Sequence, residues 1–249
     1  MNARTTINST NEAVLQSTIE MLLPSLLQGD RAEVRTMVAK TLASGVSAET
    51  FTEHVAWPIH EALHKLYRSD QIERISFNYA TRLLRSVVDQ LQLSYVRADR
   101  NGQSVTLFCG SGENEDLGGQ MAADLLDAAG FDVLFAGGGV AQDEILQETH
   151  HRQPDFLVLF ASSASDAPAI RAVIDQVREI NAHPDLQIAV GGGVFNRAEG
   201  LAEAVGASRV ARTPLDLVQA LMGPPSVGTK APEKEMVTRH MPRMARAVA

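Results

Sequence analysis

The chain of 249 residues has one cysteine, one tryptophan and only 5% aromatic residues. A single thiol cannot close an intrachain disulfide, so the fold rests on packing and hydrogen bonding, and a reducing compartment suits it. Cys109 ends the apolar run 105–109 and reads as a small buried hydrophobe. No apolar run approaches the roughly 18 residues that a membrane-spanning helix needs. Residues 1–11 are polar rather than signal-like, so a cytoplasmic protein without membrane contact is expected. Positive charge is also scarce over most of the chain. The net charge is −8, and from Gly223 onward there are five Lys/Arg against two Asp/Glu, which leaves −11 on the rest. An acidic body argues against direct nucleic-acid binding through phosphate. The 45% hydrophobic and 21% charged content is that of a globular protein with a sizeable core.

Two periodicities divide the chain. From Asn11 to Ala98 apolar residues recur at helical spacing, as in Leu15, Ile19, Leu22, Leu23 and Leu26 and again in Val34, Met37, Val38 and Leu42. Breaks at 28–30, 44–47 and 69–70 predict a bundle of four antiparallel helices, with Pro24 and Pro58 kinking or restarting the helices that contain them. After residues 99–102 the pattern changes to short apolar runs at 105–109, 131–136, 156–161, 187–190 and 209–211. Amphipathic helices are expected between and after them at 117–129, 142–151, 167–180, 198–205 and 215–221. This alternation predicts a five-stranded, doubly wound parallel sheet. The expected domains are 1–98 (helical cap) and 103–222 (α/β), followed by a flexible basic tail, 223–249, punctuated by Pro224, Pro225, Pro232 and Pro242.

In such sheets ligands bind beyond the carboxyl ends of the strands. The loop from Gly110 to Gly119 carries Glu113, Glu115 and Asp116 at a helix start, where three carboxylates repel phosphate and disfavour a nucleotide; capping the helix is their structural alternative. Two triple-glycine loops, 137–139 and 191–193, follow the second and fourth strands, and together suggest a flat ligand across that edge. Ser162, Ser163 and Ser165 could present hydroxyls to it. The segment His60-Glu61-Ala62-Leu63-His64 matches the HExxH zinc-protease pattern. It lacks the extended motif and a third ligand, so a solvated or hydrogen-bonded histidine pair is expected instead.

The pieces Leu27-Gln28-Gly29-Asp30-Arg31, Pro58 nine residues before Tyr67, and Ile75-Ser76-Phe77-Asn78-Tyr79-Ala80-Thr81 occur in the helical half. Gly118, Asp155-Phe156-Leu157-Val158-Leu159, Val190-Gly191-Gly192-Gly193 and 206–212 occur in the α/β half. In this order and spacing they resemble the cobalamin-binding modules of methionine synthase, corrinoid methyltransfer proteins and light-sensing cobalamin regulators, over about Leu26 to Leu221. The resemblance implies a flavodoxin-like sheet of the cobalamin-binding type under a helical cap. The family's D-x-H-x-x-G loop falls on Glu113 to Gly118, which puts Glu115 where the cobalt-ligating histidine stands. The sensor branch's Trp and Glu-His fall on Tyr67, Phe77 and Asn78. By this resemblance the lower side of the ligand site is Glu113, Glu115, Gly118, Gly137, Gly138, Ser162, Ser163, Gly191 and Gly192, and the upper side is Tyr67, Phe77 and Asn78.

Three functions remain open on the sequence. One is a non-enzymatic sensory or regulatory module that binds cobalamin, or another tetrapyrrole such as haem, without the usual histidines, and signals to a protein partner. Another is a ligand-free interaction module. The third is a corrinoid methyl carrier, ranked last because both ligand positions differ.

Overall fold

The computed structural model describes residues 9–112 and 116–224, with side chains from residue 12 onward. Glu113, Glu115 and most of the expected tail therefore lie outside the described residues.

The helical half begins with α1 (Ser9–Gln28) and α2 (Arg31–Ala43). Gly29 and Asp30 make the turn between them, and the Asp30 carboxylate caps α2 by accepting from the N–H groups of Ala32 and Glu33 at 3.1 and 3.0 Å. The third helical stretch is α3 (Ala48–Phe51), a π-helical turn (Thr52–Ala56) and α4 (Trp57–Arg68). The π turn has a local cause. Pro58 has no N–H to give the carbonyl of His54, and Trp57 donates five residues back, to Thr52, instead. Pro58 thus restarts its helix as expected, whereas α1 runs on through Pro24. The half closes with α5 (Arg74–Leu91).

Residues 95–103 lead to the sheet and are bonded on the way. Ala98 and Asn101 donate backbone hydrogen bonds to Ala128 and Gly130, and Thr52 shares a 2.6 Å hydrogen bond with the Tyr95 hydroxyl.

The α/β half then alternates strictly. Its elements are β1 (Ser104–Cys109), α6 (Asp116–Ala128), β2 (Asp132–Gly137), α7 (Gln142–Arg152), β3 (Phe156–Phe160), α8 (Ala167–Ile180), β4 (Gln187–Gly191), the short α9 (Gly193–Arg197) and α10 (Leu201–Val205), β5 (Arg209–Ala211) and α11 (Pro214–Met222). All strand pairs are parallel and the strand order is β2-β1-β3-β4-β5, the flavodoxin-like order. β3, Phe-Leu-Val-Leu-Phe, is buried throughout because it sits mid-sheet with both faces covered. Where a single helix was expected over 198–205, α9 and α10 stand instead, separated by Gly200 in the left-handed region.

Two apolar cores flank the sheet. One joins the cap to α6, α11 and one sheet face through Leu107, Leu117, Met121, Phe131, Phe160 and Leu217. The other fills the opposite face beneath α7, α8 and α10, through Phe108, Leu159, Ile170 and Val190. Polar contacts tie the cap to α6: Arg85 pairs with Asp116 at 2.6 Å and donates to Gln120 at 2.7 Å, and Gln120 donates to Asp89.

Candidate functional site

Helix α4 lays one face across the carboxyl ends of the strands. Trp57, His60, His64 and Tyr67 follow one another at spacings of three and four, so their rings stack along that face. They continue a ladder that starts on β3. Phe160 meets Trp57 edge-on at 6.1 Å, Trp57 lies 5.4 Å from His60, and the two imidazoles are 4.5 Å apart. His64 then meets Phe77 at 5.2 Å, and Phe77 stacks on Tyr67 at 4.5 Å with an interplanar angle of 11°.

The foot of the ladder stands on Gly118, in the first turn of α6. A side chain there would come within 2.9 Å of the Phe160 ring and 3.2 Å of both His60 Nε2 and Trp57. Gly191 lies against Phe160 in the same way. At Gly193 the missing side chain makes room for Glu61 and Arg197, whose polar atoms lie 2.8 and 2.7 Å from where a Cβ would be.

The HExxH histidines are not a solvated or hydrogen-bonded pair. His60 is fully buried and His64 nearly so, and both nitrogens of His60, Nε2 of His64 and Oε1 of Glu61 have no hydrogen-bond partner in the protein. Helix α4 rests on the strand ends rather than facing water, which overturns the expectation. Burial, then His64, then Arg85 and Arg68, holds the His60 pKa well below its ordinary value. Burial, then Arg68 and Arg197, lowers that of His64 to about 4. Burial raises that of Glu61 against the opposing charges of Arg197 and Arg68. Both imidazoles are therefore neutral near pH 7 and keep a lone pair for donation. Leaving such nitrogens dry and unpaired costs about 1–3 kcal/mol each, which marks them as groups in need of a partner.

Among the described residues, no three His, Cys, Asp or Glu side chains come together as a set able to hold a metal. A metal that arrives inside a macrocycle needs only one axial donor from the protein, since the ring supplies four nitrogens.

The described members of the expected site do not all come together. Gly118, Gly191, Tyr67 and Phe77 belong to or touch the ladder. Gly192 keeps a positive φ of 99° where the chain passes the Ala161 carbonyl, and Asn78 is half-buried beside Phe77 on α5. Ser162 is buried in the β3–α8 loop, with its carbonyl accepting from Arg197, while Ser163 pairs with Ser165. Gly137 and Gly138 stand apart, at the end of β2, where Gly138 closes on the Gly110 carbonyl. The sequence reading missed Trp57, Phe160 and His60 as one cluster, although the spacing 57, 60, 64, 67 was there to be seen.

The architecture is thus a flavodoxin-like α/β domain whose strand ends are capped by a helical bundle, with unpaired nitrogen donors at the joint. Residues 104–218, a little under half of the chain, match the family model of the B12 binding domain. Among solved structures, the monomethylamine corrinoid protein of Methanosarcina barkeri aligns with a TM-score of 0.70 at 16% identity, covering 83% of this chain and 98% of that one. A cobalamin-binding protein from Desulfitobacterium hafniense DCB-2 aligns with a TM-score of 0.45 at 17% identity, over 84% and 97%. At these identities the likeness concerns the fold alone, and the second alignment carries no weight. A search of curated protein sequences found no match.

Proposed function

We propose that the chain is a non-enzymatic sensory or regulatory module that takes up cobalamin at the joint between cap and strand ends, with a cap histidine as the axial donor. The observation that supports this most is His60, fully buried over Gly118 with both nitrogens unpaired. The family's lower position holds Glu115, a poor donor for cobalt, whereas a neutral imidazole is a good one. The donor chemistry fits the cofactor. The space fits only in part, because Phe160, Trp57 and Gly118 touch. When bound, a corrinoid would supply a cobalt able to exchange one of its donors. His60 or His64 would hold it through a neutral imidazole nitrogen, Trp57 and Phe77 would wall off water, and α4 would have to leave the strand ends to admit the ring. Binding that favours a lifted cap shifts the population of cap positions, which a protein partner can read.

The close packing of Phe160 on Gly118 and Gly191 favours a second reading, a ligand-free interaction module on the same fold. Titrating the full chain with hydroxocobalamin, and separately with haemin, separates the two. A saturable change in the visible spectrum with hydroxocobalamin, lost in His60→Leu, supports the sensor. A change with haemin alone would redirect the reading to iron. No change with either leaves the interaction module.

A further inference from the structure

A cavity of about 230 Å³ opens on the other face of the sheet, at the switch point where β1 and β3 lie side by side. Phe108, Ile145, Leu159, Ile170 and Val173 wall it, all of them buried. One end is polar. Asp166 is buried, and its Oδ1 accepts from the Ser111 hydroxyl at 2.8 Å and from the Ser111 N–H at 3.3 Å. Its Oδ2 has no partner in the protein and lies over Gly110, where even a Cβ would come within 2.2 Å.

The two bonds to Oδ1 suit a carboxylate that acts as an acceptor. A proton on Oδ2 would face the Gly110 backbone carbon with nothing to receive it. The described residues around the cavity include no Lys, Arg or His, so the charge of Asp166 has no counterpart among them. A buried carboxylate calls for a cation or a strong donor. The size sets the scale of what fits, since a dry cavity of roughly 150 Å³ takes a benzene ring.

We propose that this cavity binds a small organic ammonium compound, with its apolar body between Ile145, Leu159 and Val173 and its cationic head at the polar end, against the Asp166 carboxylate. The site is separate from the cap joint. It shares with it Phe160, which lines the cavity and meets Trp57, and the loop after β1, where Gly110 and Ser111 line the cavity.

The test titrates the ¹⁵N-labelled full chain with benzylamine and with its neutral isostere benzyl alcohol, following amide shifts. Benzylamine should bind at least about tenfold more tightly, as expected when a charge-assisted bond replaces a neutral one. Its shifts should centre on Ser111, Ile145 and Ile170. Asp166→Asn, which keeps an acceptor for Ser111, should abolish the preference. Equal binding of the two compounds, shifts centred elsewhere, or no binding of the amine would overturn the proposal. The comparison on the unsubstituted chain decides the matter even if Asp166→Asn fails to fold.

Discussion

The two triple-glycine loops stand at the same edge of one sheet and serve different ends. At 191–193 the glycines let protein approach protein: Gly191 receives Phe160, Gly192 passes the Ala161 carbonyl, and Gly193 admits Glu61 and Arg197. At 137–139 only the middle glycine is closely approached, by the Gly110 carbonyl, while Gly137 and Gly139 face open space and Gly139 borders the cavity. The same three letters mark a closed joint under the cap and an open rim away from it. A glycine run shows where the backbone must come close, and the neighbour it meets is settled by tertiary structure.

Substitutions can sharpen this contrast. The largest effect is expected at Phe160, fully buried in the closed joint, where Phe160→Ala should lower the unfolding free energy in denaturant titrations by about 3–5 kcal/mol. Gly192→Ala should cost about 3 kcal/mol or more, because its Cβ would lie 2.3 Å from the Ala161 oxygen at a positive φ. Gly137→Ala has the same kind of φ but empty surroundings, so it should cost only about 1 kcal/mol. Equal losses at 137 and 192 would erase the distinction between the two loops.

Acid offers an intermediate test. His60 and His64 take up protons more readily unfolded than folded, so they cost nothing above pH 6.5 and destabilise increasingly as the pH falls towards 4. Asp124 acts in the opposite sense. Burial, then Asp89 and Asp127, raises its pKa to about 6, so its penalty grows as the pH rises from about 4 to 6. Glu61, whose pKa burial also raises, acts in the same sense as Asp124, and the two imidazoles set the trend, so the chain should lose stability from pH 7 to pH 5. Thermal unfolding of His60→Leu should show a flatter pH profile, and Asp124→Asn should raise the melting temperature at pH 7 more than at pH 5. The smallest effect concerns His60→Leu at pH 7, which should be neutral or slightly stabilising, since it removes unpaired buried nitrogens from an apolar setting. A loss of several kcal/mol there would mean that the imidazole serves packing.

Most of the fold was legible because its signals are local. The alternation after residue 103 set all five strands within a residue or so, and the turn residues Gly29, Asp30 and Ser47 set helix ends. The candidate site was less so. His60 looked like a surface histidine because half of α4 is polar, and only the approach of Gly118 and Phe160, distant in sequence, buries it. The division into domains 1–98 and 103–222 we carry as a proposal. One core runs through both halves, so cleavage within 99–103 should leave a folded α/β fragment of lower stability than the whole chain.

The central claim is that the unpaired imidazoles at the cap joint are donors for a tetrapyrrole metal. The most direct measurement is electron paramagnetic resonance of the full chain mixed with cobalamin reduced to Co(II), with ordinary and ¹⁵N-labelled histidine. Coupling to one axial nitrogen whose splitting pattern changes with the histidine label, and is lost in His60→Leu or His64→Leu, is the predicted result. A spectrum unchanged by the label and by both substitutions would contradict the account.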